Sequence, residues 1–192
     1  MQAYPFQYFR LSLADTDNII ISKDSHLIVG KQVGNRDEKW YLKEKEPGVF
    51  QIVNDGTGKF LTAADSKIIL DTNSNSPSQL WRIEGILKDI EGNYLYYLII
   101  NNKDKDSTQC LTFTDGEGFS LTRFQGERFQ KFKIHLDGLQ GFADNHRASN
   151  NFCQKWNILP YSLDANLTMS NPIVKTQVFK DKDYVHTVVF MK

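Results

Sequence analysis

The chain has 192 residues, 40% of them hydrophobic, which is enough for one sizeable core. Its 23 basic and 23 acidic residues cancel and no Lys/Arg block interrupts the sequence, which argues against a nucleic-acid partner. No apolar run approaches a membrane span and the first residues lack a charged start and apolar segment, so neither membrane insertion nor classical export is expected. The location expected is cytoplasmic, or outside the cell by a non-classical route.

Aromatic residues are abundant, with 13 Phe and 8 Tyr, and the apolar pattern has the period of strands. In chain order, strands are predicted near 7–13, 18–22, 27–31, 39–45, 49–54, 59–63, 68–72, 80–86, 94–101, 109–113, 119–123 and 131–136. Turn signals separate them, among them Glu46-Pro47-Gly48, Asn54-Asp55-Gly56 and Asp115-Gly116-Glu117-Gly118. No window longer than about two turns carries the apolar spacing of an amphipathic helix. Such an all-β chain should close on itself to remove its edges.

The strands fall into three copies of one unit. The copies end in Glu38-Lys39-Trp40, Gln79-Leu80-Trp81 and Gln130-Lys131-Phe132. A turn Asp precedes each closing aromatic by 16, 16 and 17 residues: Asp24, Asp65 and Asp115. Before each turn runs a β-prone segment, Ile19–Ser22, Phe60–Ala63 and Cys110–Phe113. A repeated unit of this size buries its apolar face only against its neighbours. Four strands in each of three repeats predict a six-stranded barrel with a hairpin cap. Trp40, Trp81 and Phe132 would fill its core, because each repeat offers one large aromatic. Gln79 and Gln130 would satisfy buried backbone groups, and the turn Asp residues would cap nearby N–H groups.

The Gln-x-Trp triplets, with the Leu-Thr strands and turn Asp residues before them, resemble the repeats of ricin-B-type (R-type) β-trefoil lectins over about residues 4–138. The resemblance implies a β-trefoil domain over 1–138 and sugar binding in shallow pockets, at most one per repeat, with glycans or glycoproteins as partners and no cofactor. Sugar recognition needs a carboxylate or amide for paired hydroxyls and an aromatic face for the ring. In that family the sugar-fixing carboxylate lies at the third position of the strand before the turn. Here that position is Ile21, Thr62 and Thr112. The family's second turn Asp is matched by Asp24, Asp65 and Asp115, and its polar residue before the Gln by Asp37, Ser78 and Phe129. The second repeat (Thr62, Asp65, Asn73, Asn75, Gln79) is the most polar candidate, and the third (Thr112, Asp115, Phe119, Phe124) is the most aromatic.

Residues 139–192 read as a β-rich extension that either packs on the trefoil or mediates assembly, a homodimer being one form such assembly would take. Strands are predicted at Trp156–Leu159, Ile173–Phe179 and Val185–Phe190, the last an edge strand that pairs with another chain or with the barrel. Asn166-Leu167-Thr168 matches a glycosylation sequon. Two cysteines make no disulfide framework, and Cys110 sits where a core thiol is expected. Cys153, His146 and Asp144 lie close in sequence but have no strand–turn–helix frame to hold a nucleophile and base, and the four His show no ligand spacing. The expected function is therefore non-catalytic, metal-free carbohydrate recognition. The alternative is a protein-binding trefoil, such as a protease inhibitor or a toxin or adhesion component, which would present a long loop at 82–93 or 101–109.

Overall fold

The computed structural model describes residues 8–88, 94–103, 108–136, 173–181 and 184–191. Twelve strands make the first unit: β1 Phe9–Leu13, β2 Ile19–Lys23, β3 His26–Gly30, β4 Trp40–Glu46, β5 Val49–Asn54, β6 Phe60–Ala64, β7 Lys67–Asp71, β8 Trp81–Lys88, β9 Tyr94–Asn101, β10 Gln109–Thr114, β11 Gly118–Arg123 and β12 Phe132–Leu136. Antiparallel pairing runs β1–β4–β5–β8–β9–β12 and back to β1, which closes a six-stranded barrel. Hairpins β2–β3, β6–β7 and β10–β11 supply the cap. The fold is the β-trefoil that the sequence predicts, and closure leaves the barrel no free edge.

The threefold relation holds residue by residue. Phe9 pairs with Trp40, Phe50 with Trp81 and Tyr97 with Phe132, at equivalent places in the three repeats. All six are at most 2% exposed. Leu11, Ile52 and Ile99 form the next layer, with Ile20, Leu61 and Leu111 under the cap hairpins. Alternation explains the layering: successive side chains of a strand point to opposite faces, so every second residue enters the barrel. Each Trp also meets the polar requirement of its ring, since Trp40 Nε1 donates to the Ile20 carbonyl at 3.3 Å and Trp81 Nε1 to that of Leu61 at 2.9 Å.

Two features differ from the sequence reading. Short 3₁₀ turns, Arg36–Glu38, Pro77–Gln79 and Arg128–Gln130, precede the closing aromatic of every repeat, where no helical element is predicted. A three-residue turn is too short to leave a periodic apolar signal. The second correction concerns the long loop expected at 82–93. Residues through Lys88 belong to β8, in register with β9. Gly85 permits this pairing, because a Cβ there would overlap the ring of Tyr94 lying across the strand.

A second unit covers Ser162–Lys192. Its described residues form a two-stranded antiparallel sheet, β13 Ile173–Asp181 with β14 Tyr184–Met191, interrupted by a bulge between Ile173 and Lys175. Within this unit the last segment thus pairs with the segment just before it. Local pairing has the smaller loop-closure cost. The strand predicted at 156–159, the sequon at Asn166, and Asp144, His146 and Cys153 lie outside the described residues.

Candidate functional site

In each repeat the residue two places before the closing aromatic organises the outer loop. Gln79 is fully buried and all of its amide is engaged. Its Oε1 accepts from Ser74 N at 3.0 Å, and its Nε2 donates to Thr62 Oγ1 at 3.0 Å and to the Thr72 carbonyl at 2.7 Å. Gln130 repeats the pattern: Oε1 accepts from Gln125 N at 2.8 Å, and Nε2 donates to Thr112 Oγ1, Thr122 Oγ1 and the Arg123 carbonyl. The Thr62 and Thr112 hydroxyls donate in turn to the carbonyls two residues back, Phe60 and Cys110. Both threonines are 6% exposed, so the candidates Thr62, Gln79 and Thr112, with Gln130, form two internal braces.

The first repeat solves the same problem with a different chemistry. Glu38 accepts from Val33 N and Gly34 N, as the Gln residues accept from theirs. A carboxylate has no proton to donate, and opposite it stands Ile21 rather than a threonine. Arg10, on the barrel strand, lies 3.5 Å from it instead.

Two asparagines that the sequence reading passed over tie these loops to the barrel. Asn54 Nδ2 donates to the carbonyls of Asp37 and Lys39, and Asn101 Nδ2 to those of Ser78 and Leu80. Leu13 holds the related place in the third repeat, opposite Phe132. The residue after each makes the same backbone bond: Asp55 N to Lys39 O at 2.8 Å, Asn102 N to Leu80 O at 2.8 Å, and Ala14 N to Lys131 O at 2.9 Å.

The turn aspartates and the second-repeat asparagines face solvent. Asp24 and Asp65 are exposed at hairpin turns with φ of 58° and 55°, left-handed values that Asp tolerates better than most residues. The third-repeat turn is one residue longer, so Asp115 stands before Gly116, which takes the positive φ of 80°. In the second repeat, Asn73 accepts from Gln51 Nε2 at 3.1 Å and Asn75 accepts from Lys45 Nζ at 3.0 Å. Both asparagines are exposed. Asp37 is half-buried against Gly56, where a Cβ would overlap it.

The third repeat carries the aromatic surface. Phe119 is 6% exposed and belongs to the core, and Phe124 packs on Leu98, Ile100 and Cys110. Phe113, which also packs against the core, and Phe129 are half-exposed like Phe124, and their rings lie 6.2 Å apart and edge to face. The Arg128 guanidinium lies 4.4 Å over the Phe129 ring. The pattern was present in the sequence, since Phe129 takes the place of Asp37 and Ser78, but its partner Phe113 appears only once β10 is placed. Cys110 beneath is fully buried, and burial pushes its thiol up to about 11, which makes it inert as a nucleophile. No group of three or more metal-ligating side chains occurs among the described residues.

The family model described as ricin-type beta-trefoil lectin domain-like matches residues 36–125. No curated protein matches the sequence. Among solved structures, the designed threefold-symmetric protein ThreeFoil is 17% identical at a TM-score of 0.53, over 66% of this chain and 96% of that one. The structure of SeviL bound to asialo-GM1 saccharide is 16% identical at a TM-score of 0.53, over 68% and 97%. A GlcNAcα1-4Gal-releasing endo-β-galactosidase from Clostridium perfringens is 12% identical at 0.56, over 68% of this chain but only 32% of its own length. This chain thus spans about a third of that enzyme. At such identities the likeness carries the fold alone. The chain is a β-trefoil whose residues 36–125 bear the signature of the ricin-type β-trefoil lectin domain-like family.

Proposed function

We propose that this trefoil is a non-catalytic carbohydrate-recognition module and that its working site lies in the third repeat. One observation carries the choice of repeat: Phe113 and Phe129 expose ring surface on the repeat whose turn holds the solvent-facing Asp115. A pyranose has an apolar face and a hydroxyl edge, and it binds where a ring and a carboxylate or amide lie within one sugar's reach. The Thr62–Gln79 and Thr112–Gln130 pairs are braces of the loops in this reading, and Asp65, Asn73 and Asn75 form a weaker second pocket without a ring. The family match over residues 36–125 supports sugar binding, as does the saccharide named with SeviL. Such single-sugar sites are weak, and assembly through residues 139–192 would raise avidity by joining several.

The test is a glycan array probed with the full chain, Asp115→Asn, Phe129→Ala and an Asp65→Ala/Asn73→Ala double variant. The reading expects binding to a defined glycan class that the first two variants lose and the double variant keeps. Retention by the third-repeat variants would move the site to another repeat. Silence of the folded chain across the array would overturn sugar recognition in favour of a protein partner.

A further inference from the structure

Equivalent positions of the three repeats carry Arg36, Pro77 and Arg128, each opening a 3₁₀ turn. Arg36 is spoken for. Its Nε and Nη2 donate to the two carboxylate oxygens of Asp55 at 2.8 and 3.0 Å, a bidentate pair. That pairing holds the Asp55 carboxyl below its ordinary range, with the hydrogen bond from Arg36 as the largest cause. The backbone bonds to Lys39 O and Lys131 O show that Asp55 corresponds to Ala14 in the third repeat. Ala14 is 2% exposed and offers no charge. Its neighbour Asp15 is engaged by Tyr96, whose hydroxyl donates to it at 2.6 Å. Arg128 therefore lacks the acid that its counterpart has, and it lies instead on the face of Phe129.

The surroundings repeat this imbalance. From 123 to 131 the third-repeat loop holds Arg123, Arg128 and Lys131 against Glu127 alone. Among the described residues none of these three cations forms an ion pair. The corresponding stretch of the second repeat, 72–80, has no Lys or Arg. A planar guanidinium held on an aromatic ring keeps its N–H fork directed at solvent and has lost part of its rotamer freedom in advance. That arrangement fits a carboxylate or sulfate, which takes two parallel N–H bonds.

We infer that the third repeat recognises an anionic saccharide, whose carboxylate or sulfate is held by Arg128 while its ring lies against the Phe113–Phe129 surface. The inference rests on the sugar-binding reading above and specifies its ligand. Asp115 and Glu117 lie on the turn of the neighbouring hairpin, so the anionic group must point away from that turn, toward the 123–131 loop.

Calorimetric titration of the full chain tests this with lactose, 3′-sialyllactose and 3′-sulfolactose as probes. The expected result is that at least one anionic probe binds about tenfold more tightly than lactose at low salt, as one charge-assisted bidentate contact would give. That excess should shrink as salt is raised. Arg128→Gln should abolish the excess, whereas Lys23→Gln, a matched loss of charge on the first hairpin, should preserve it. A preference for the sialyl over the sulfo probe would identify a carboxylate as the ligand group, and the reverse would identify a sulfate. Equal affinity for lactose and both anionic probes would overturn this inference and leave sugar binding standing. Failure of every probe, and of the array, would overturn both.

Discussion

Arg10 and Glu38 lie 3.5 Å apart at the place where the other two repeats join Gln79 to Thr62 and Gln130 to Thr112. The carboxylate is fully buried and the guanidinium nearly so, at 0% and 13% side-chain exposure. Glu38→Gln is expected to destabilise the protein by about 1–3 kcal/mol, because the new amide NH₂ faces Ile21 and Arg10 loses its counter-charge. Gln79→Glu should cost at least as much, since a carboxylate would face the Thr72 carbonyl with no proton to give. Urea unfolding midpoints measure both, and a neutral effect in either variant would contradict the distinct roles drawn for these positions.

His135 gives the barrel an acid-side weakness. It faces Arg10 across the β1–β12 ladder, accepts or donates at Ser12 Oγ over 2.8 Å, and shares its strand with Lys133. Burial is the main cause that lowers its pKa below the ordinary 6.5, with Lys133 and Arg10 adding to it. The unfolded chain therefore takes up this proton at a higher pH than the folded one. Stability is full above the ordinary His value and falls as pH drops below it toward the lowered folded value. Unfolding midpoints measured between about pH 7.5 and 5.5 should decline in the wild type and flatten in His135→Gln, since His is the group that ordinarily titrates in that window.

Tyr94 lies flat on Gly85, so Gly85→Ala should be destabilising by about 1–3 kcal/mol through overpacking. Tyr94→Ala removes the ring that a Cβ would strike. A double-mutant cycle should therefore show Gly85→Ala much better tolerated in the Tyr94→Ala background. Additive effects would place the strain elsewhere in β8.

In the core, Trp81→Ala should cost about 3–5 kcal/mol, the usual range for deleting a buried aromatic. The ring is 0% exposed and also loses its bond to the Leu61 carbonyl. Phe132→Trp is the converse trial. It would give the third repeat the aromatic of the other two, at the expense of the packing now set by Tyr97. Thermal melts of the two variants should move down, the first much further than the second.

A two-stranded sheet of β13 and β14 is at best marginal on its own. We expect the chain to be a dimer by light scattering, and a variant ending at residue 138 to be a monomer that keeps the near-ultraviolet signal of the trefoil. A monomeric full chain would remove the assembling role from residues 139–192.

Strands and threefold symmetry were legible because both are written locally. Alternation sets each strand, and turn chemistry such as Asp65-Ser66 or Asp115-Gly116 sets each hairpin, so twelve segments fell within about two residues of their observed limits. The loops were less legible because their logic joins residues far apart in sequence. Arg10 reaches Glu38 from another strand, and Asn54 reaches back to Asp37. The bond of Gln79 to buried backbone groups was legible, but its second partner, the Thr62 hydroxyl 17 positions earlier, was not. Phe119 and Phe124 looked like the third repeat's rings because they are aromatic in the expected segment. The fold buries Phe119, packs Phe124 half-exposed on Leu98, Ile100 and Cys110, and leaves Phe113 and Phe129 half-exposed beside each other.

The β1–β12 ladder joins the start of the trefoil to its end, with Ser12 and His135 in contact across 123 positions. During synthesis the first strand must therefore wait, one edge uncovered, until the last has left the ribosome. Its neighbours β2 and β4 can form beforehand, but the ring cannot shut. A pairing of such high sequence separation slows folding and prolongs the exposure of strand edges. The hydroxyl, imidazole and guanidinium groups of Ser12, His135 and Arg10 on that seam give the waiting edges a polar character that discourages pairing with another chain.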